Sequence, residues 1–230
     1  MKEYLEVEYD IKKRPLTDYP SKLASYIYDK HNLKGGLRLL DIGCGRGELA
    51  FQFKKLGLKV TGLDSSASLK NLFIQEECNF IVHSVESGKK IPAEDNSFDY
   101  IFIKSFIEHV NDPRDLILDC YRLLRNDGKI IILTPDWEAN VKIFFDDITH
   151  VKPFTQISMS QLLELTGFEK IEVYKFRQLP ITWSNSFVKM LSIMISPLIP
   201  HRNKIKFFRW SKELMLVGIG NKIDTSSKAL

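Results

Sequence analysis

The stretch Leu39-Leu40-Asp41-Ile42-Gly43-Cys44-Gly45-Arg46-Gly47 sets three glycines on alternate positions directly after a short apolar run. Glycines at such a turn permit positive φ and let a ligand approach the backbone. The spacing excludes two phosphate cradles. A dinucleotide site needs G-x-G-x-x-G, but the third glycine counted from Gly43 is replaced by Glu48, whose carboxylate repels a diphosphate. No G-K-[ST] follows, so a P-loop fails as well. Asp64 stands 21 residues after Gly43, with Ser65 behind it. A carboxylate there, at the end of a second strand, accepts the hydroxyls of a ribose. The pattern asks for a ligand with a nucleoside but no essential phosphate. Read alone, Asp64 could instead cap the helix that follows.

Two histidines are candidate general bases, because imidazole titrates near neutrality. His109 falls just past a fourth strand, on the side where ligands bind in open α/β sheets. His150 lies in Phe144-Phe145-Asp146-Asp147-Ile148-Thr149-His150, where Asp146 or Asp147 could orient it. The plainer alternatives are a loop-packing His109 and a solvated His150. Cys44 reads as a small filler between glycines, and no metal-ligand spacing accompanies it, so no metal is expected.

The elements that must position these residues alternate in type. Leu23–His31 suits a short helix before Gly35-Gly36. Arg38–Ile42, Lys59–Leu63, Phe80–Val82, Phe98–Ile103 and Lys129–Leu133 read as strands. Glu48–Leu56 is amphipathic and stops at Gly57. Asp112-Pro113 opens a helix that runs to about Leu124, with Pro at its first position. Ser158 with Gln161 resembles a capping box for a helix ending at Gly167. Ile171–Phe176 and Glu213–Ile219 are late strands. The alternation implies an α/β fold with a mostly parallel sheet and helices on both faces.

The chain of 230 residues carries 33 Lys+Arg against 29 Asp+Glu, a net +4, with 44% hydrophobic residues. This is a globular composition, which excludes a disordered or fibrous chain. Three cysteines (Cys44, Cys78, Cys120) make no disulfide framework, and the polar, acidic start is unlike a secretory signal. A cytoplasmic setting is expected. The positive balance is local: residues 181–212 hold six Lys/Arg and no acid, and the remaining residues carry 27 bases against 29 acids.

In combination, these motifs resemble the class I S-adenosylmethionine-dependent methyltransferases, in their small-molecule branch. Asp41-Ile42-Gly43-Cys44-Gly45-Arg46-Gly47 resembles motif I, and Asp64 matches the ribose-binding acid. Asn96-Ser97-Phe98-Asp99 is similar to the lead-in to the fourth strand. Glu108-His109-Val110-Asn111-Asp112-Pro113 and Leu123-Leu124-Arg125-Asn126-Asp127-Gly128-Lys129 are similar to later motifs. The resemblance spans about residues 35–180. It implies a Rossmann-like methyltransferase sheet with an antiparallel last strand, and S-adenosyl-L-methionine as cofactor. It further implies donor contacts from Asp41, Gly43, Cys44, Gly45, Gly47, Asp64, Ser65, Val85, Glu86 and the backbone of Lys104, and acids that favour a cationic ligand. Ser84 replaces the usual adenine-binding Asp. The Lys104 side chain is expected to point away from the sulfonium or pair with an acid.

The implied reaction is O-methylation of a small molecule or a lipid-linked sugar, as in bacterial surface-polysaccharide methyltransferases that the segment around His150 resembles. Nucleic acid is not expected, because Lys104-Ser105-Phe106-Ile107 replaces the base methylases' [DN]-P-P-[YF]. A non-catalytic donor-binding regulator and a membrane-surface module on a degenerate fold are the alternatives. The organisation expected is a helical cap over residues 1–34, with Arg14 and aromatics closing over the donor, then a methyltransferase domain over 35–225.

The insertion at 181–212 is the least expected part. Phe187, Met190, Leu191, Met194, Ile195 and Leu198 share a helical face that Pro197 and Pro200 end, and basic and aromatic residues follow. The run from Phe187 to Pro200 is too short to span a bilayer. It could be a packed lid, an interfacial segment at the inner membrane face, or a homodimer face.

Overall fold

The computed structural model describes residues 15–86 and 88–223, so Arg14 and the rest of the first fourteen residues lie outside the description. A helix α1 (Tyr19–Lys30) precedes strand β1 (Arg38–Ile42), helix α2 (Ala50–Lys55) and strand β2 (Lys59–Asp64). Helix α3 (Lys70–Gln75), strands β3 (Asn79–Val82) and β4 (Phe98–Lys104), helix α4 (Pro113–Leu123) and strand β5 (Leu124–Pro135) follow. Then come α5 (Trp137–Asn140), α6 (Gln156–Leu165), β6 (Glu169–Arg177), α7 (Ile181–Ser184), α8 (Ser186–Ile195), α9 (Lys206–Lys212) and β7 (Leu214–Asn221).

The seven strands form one sheet in the order β3-β2-β1-β4-β5-β7-β6. β1 to β5 pair in parallel, and β7 runs antiparallel between β5 and β6. This is the mostly parallel sheet with an antiparallel last strand that the resemblance implies. Both faces are covered, so the central strands are apolar throughout and alternate only in which face they serve. Leu40, Ile101, Ile103, Ile130 and Ile132 join the core under α4 and α6. Leu39, Phe102, Ile131 and Leu133 join the opposite core, with Leu23 and Ile27 of α1 and Phe53 of α2. Asp41 has the parity of Leu39 and is 3% exposed.

β5 and β6 run longer than the sequence suggests, and two further readings move for local reasons. The capping box of α6 is Thr155 with Ser158, not Ser158 with Gln161: Ser158 N donates to Thr155 Oγ1 at 3.2 Å, and Thr155 N donates to Ser158 Oγ at 2.9 Å. The last strand starts at Leu214, because Glu213 closes α9 by donating its N–H to Arg209 O.

The segment between β6 and β7 rests on α1 through aromatic rings. Trp183 lies 4.8 Å from Tyr26 and 5.4 Å from Phe176, and Trp210 lies 4.7 Å from Tyr19, centroid to centroid. Trp183 Nε1 donates to Arg177 O at 2.8 Å. Arg202 forks onto Asp146, with Nε to Oδ2 at 2.8 Å and Nη2 to Oδ1 at 2.7 Å, and Nη2 also donates to Lys142 O at 3.2 Å.

Candidate active site

The glycine turn leaves β1 at the carboxyl end of the sheet. Gly43 N and Cys44 N both donate to Leu63 O, at 2.8 and 3.1 Å, which pins the turn to the end of β2. Gly43 has φ +69°, and a Cβ there would lie 2.3 Å from the Phe106 ring. Only glycine meets both conditions. Asp64 finishes the loop from the β2 side: its Oδ2 accepts from Gly45 N at 3.0 Å and its Oδ1 from Ser66 N at 3.1 Å. Both carboxylate oxygens therefore hold backbone, and their remaining lone pairs are what a ribose would find.

A cavity of about 230 Å³ opens beside this turn, lined among others by Asp41, Gly43, Cys44, Lys104, Ser105 and Tyr19. Burial pushes the Asp41 carboxyl up to about 8, opposed by the charge of Lys104 and reinforced by Asp64. A cation in the cavity would favour the ionised form of Asp41. Arg46 and Glu48 also line the cavity and are ion-paired to each other, so Glu48 offers little free negative charge. Lys104 lines the cavity, its Nζ donates to Ser105 Oγ at 3.3 Å, and its charge reaches both Asp41 and Glu108.

Not every residue read as a donor contact gathers here. Val85 and Glu86 border a separate small cleft with Asp112 and Asp115. Glu86 is exposed, and the Lys89 ammonium at 2.5 Å, which hydrogen-bonds it, holds its carboxyl below the ordinary range. Ser65 is exposed, one residue beyond Asp64.

A second cavity of about 180 Å³ is lined by Ser105, Asn140, Phe144, His150, Gln178 and Glu213, among others. It shares Ser105 with the first. Ser105 has φ +50°, a strained conformation for a residue with a Cβ. Its N–H donates to Leu133 O at 2.8 Å, which fixes it between β4 and β5. Nothing in the sequence marks Ser105 beyond its place at the end of β4.

His109 and His150 face each other, with centroids 4.8 Å apart. Val151 N and Lys152 N both donate to Glu108 O, at 2.9 and 3.0 Å, and thereby bring the late loop onto the β4 turn. His150 Nδ1 lies 2.6 Å from Phe144 O. A carbonyl only accepts, so Nδ1 carries the proton and Nε2 holds the lone pair. Thr149 Oγ1 donates to Asp147 Oδ1 at 2.6 Å, so His109 Nδ1 donates to Thr149 Oγ1 at 2.8 Å. Burial and the neighbouring His150 hold His109 below the ordinary imidazole range. Burial raises Asp147, but hydrogen bonds from Thr149 and the charges of His150 and His109 outweigh it and leave its carboxyl below the ordinary range. Asp147 Oδ2 lies 3.9 Å from His150 Nε2. Asp146, the other candidate partner, is taken by Arg202 instead.

Glu108 is 1% exposed and pushed up to about 7 by burial. Its Oε2 accepts from Thr134 Oγ1 at 2.9 Å, while Oε1 has no hydrogen-bond partner. Glu108, His109 and His150 each offer one ligand atom within 4.8 Å of the others. That spacing is open to a divalent ion as well as to proton transfer.

The sheet order, the glycine turn at its switch point and the buried acid beside it define a nucleoside-binding Rossmann-like α/β protein. Residues 40–132 match the family model described as a methyltransferase domain. A ubiquinone biosynthesis O-methyltransferase of Vibrio cholerae is 29% identical over 150 residues, 63% of this chain and 60% of that protein. One of Coxiella burnetii is 34% identical over 127 residues, 54% of this chain and 53% of that protein. The chain thus spans about half to three-fifths of the curated relatives it matches. A SAM-dependent methyltransferase structure from Archaeoglobus fulgidus superposes with a TM-score of 0.64 at 22% identity, covering 96% of this chain and all of that one. Over residues 40–132 the chain thus matches a methyltransferase domain, and its fold is the one found in S-adenosylmethionine-dependent methyltransferases. S-adenosylmethionine is that family's cofactor, and a glycine cradle beside a buried carboxylate fits a cationic nucleoside.

Proposed function

We propose that this chain is an S-adenosylmethionine-dependent O-methyltransferase that transfers a methyl group to a hydroxyl in the His150 cavity. The carrying observation is that a cavity lined by His150, whose Nδ1 is held by Phe144 O, adjoins the glycine-turn cavity at one residue, Ser105. The relatives' names support oxygen as the accepting atom. The donor supplies an activated methyl group on a sulfonium. Asp41, the turn at Gly43–Gly47 and Asp64 hold that donor, while Val85 and Glu86 border a separate cleft. The chain's own task is alignment and exclusion of water, worth up to about 7–11 kcal/mol. Transfer to an acceptor oxygen would release the hydroxyl proton, which His150 Nε2 would accept. Asp147, at 3.9 Å, then faces the imidazolium charge. His150 is the better base because it lines the cavity and His109 stands behind it.

The apolar rims of the site suit an acceptor with a greasy part, such as a lipid-linked sugar or another lipid-borne hydroxyl. The test is methyl transfer to an acceptor panel. His150→Gln is expected to lower kcat about 10²–10⁴-fold while S-adenosylhomocysteine binding is unchanged. Tight donor binding with no turnover on any acceptor would leave a donor-binding regulator instead. Turnover lost to a chelator and restored by a divalent cation would assign Glu108, His109 and His150 to a metal.

A further inference from the structure

The helix α8 is built inside out. Its sequence is SFVKMLSIMI, yet its one buried residue is Ser192, whose Oγ accepts from Arg177 Nε at 3.2 Å. Phe187 is 68% exposed and Met194 66%, and Met190, Leu191 and Ile193 are also exposed. The exposed face continues through Leu198, Ile205, Phe207 and Phe208. A contiguous apolar patch of this kind on a folded chain marks an interaction surface.

Charge decides what covers it. Residues 181–212 contain no acid. Two acids outside the segment are paired with its own arginines: Asp146 with Arg202 and Glu213 with Arg209. Lys212 is turned inward onto Ile199 O and Ser196 O. Lys189 and Lys204 are exposed beside the apolar residues. A second copy docking by a two-fold axis would set this face against itself, lysine near lysine, and residues 181–212 offer no carboxylate to meet them. An anionic bilayer supplies both apolar depth and negative headgroups. Among the described residues no helix is long and apolar enough to cross a membrane, so the contact is in the plane of the surface.

We infer that residues 186–208 form a docking surface for an anionic lipid bilayer, with Phe187, Met190 and Met194 entering the headgroup region and Lys189 and Lys204 meeting phosphates. This goes beyond the methyltransferase reading and does not depend on it. Flotation of the full chain with vesicles of phosphatidylcholine, with and without phosphatidylglycerol, tests it. The chain is expected to float with the anionic vesicles and more weakly with the neutral ones. Phe187→Glu with Met194→Glu should abolish flotation, since each loses a buried apolar side chain and adds a charge. Lys189→Gln and Lys204→Gln should each lower partitioning about fivefold. Unchanged donor binding by the variants shows that they are folded. The inference is overturned if the chain stays at the bottom of both gradients, or if the Phe187 and Met194 changes leave flotation intact. It is equally overturned if light scattering shows a dimer that these changes dissociate and that does not float. Flotation without donor binding would count against the methyltransferase reading alone.

Discussion

Asp41 is a carboxylate placed where it is costly to ionise. Its burial holds a proton on it up to about pH 8 in the donor-free chain. A sulfonium or ammonium group in the adjoining cavity would favour the charged form and displace that proton. Donor affinity is therefore expected to rise with pH toward about 8 and then level off, as calorimetry can show. Asp41→Asn should weaken binding and flatten the dependence. The glycine turn and Asp41 were legible in the sequence because they are local: one stretch of nine residues carries them. His150 was legible only as a candidate. Its orientation comes from Phe144 O and its neighbour His109 from 41 residues upstream. No spacing encodes that meeting, which two backbone bonds to Glu108 O impose. The unpartnered Glu108 Oε1 is invisible in the sequence for the same reason, although Glu108 belongs to a motif the resemblance carries.

At the scale of elements, the sheet leaves little room at the crossing of β2 with the glycine turn. A Cβ at Gly62 would lie 2.3 Å from the Phe73 ring and 2.9 Å from Cys44 Sγ. Gly62→Ala is expected to cost about 1–3 kcal/mol, read as a lower urea midpoint, because Phe73 of α3 is fully buried and has nowhere to go. Most strands and helices were legible from runs and periodicity, since a parallel sheet buried on both faces has apolar strands separated by amphipathic helices. What periodicity could not give was the sense of α8. The apolar stripe is legible over Phe187–Ile195, but Leu198 lies beyond α8, and the side held to the body is the one where Arg177 meets Ser192. The pairing of Thr155 with Ser158 was likewise missed, because Ser158 matches the capping pattern by type while the chain enters the helix three residues earlier.

For the whole molecule, two buried carboxyls bias stability with pH. Asp41 and Glu108 are raised from ordinary values to about 8 and about 7. Between the unfolded and folded values the native chain holds protons that the unfolded chain has released, so stability falls as pH rises through that window. Urea midpoints are expected to decline from about pH 5 to about pH 8, with Asp41→Asn and Glu108→Gln each flattening the decline. The net +4 belongs to no such balance; it is concentrated in one segment, and there three of the six bases are spent on Asp146, Glu213 and backbone carbonyls. The Arg202 fork has a different consequence. It fastens the segment to the loop that carries Asp147 and His150. To the extent that filling the cavity favours surface contact through this tie, surface contact favours filling of the cavity by the same factor. The tie is solvent-exposed, so this mutual preference is small and fades with salt. The chain would then behave as a weak thermodynamic balance, in which a filled cavity lengthens residence at a surface and residence at a surface slightly tightens the cavity.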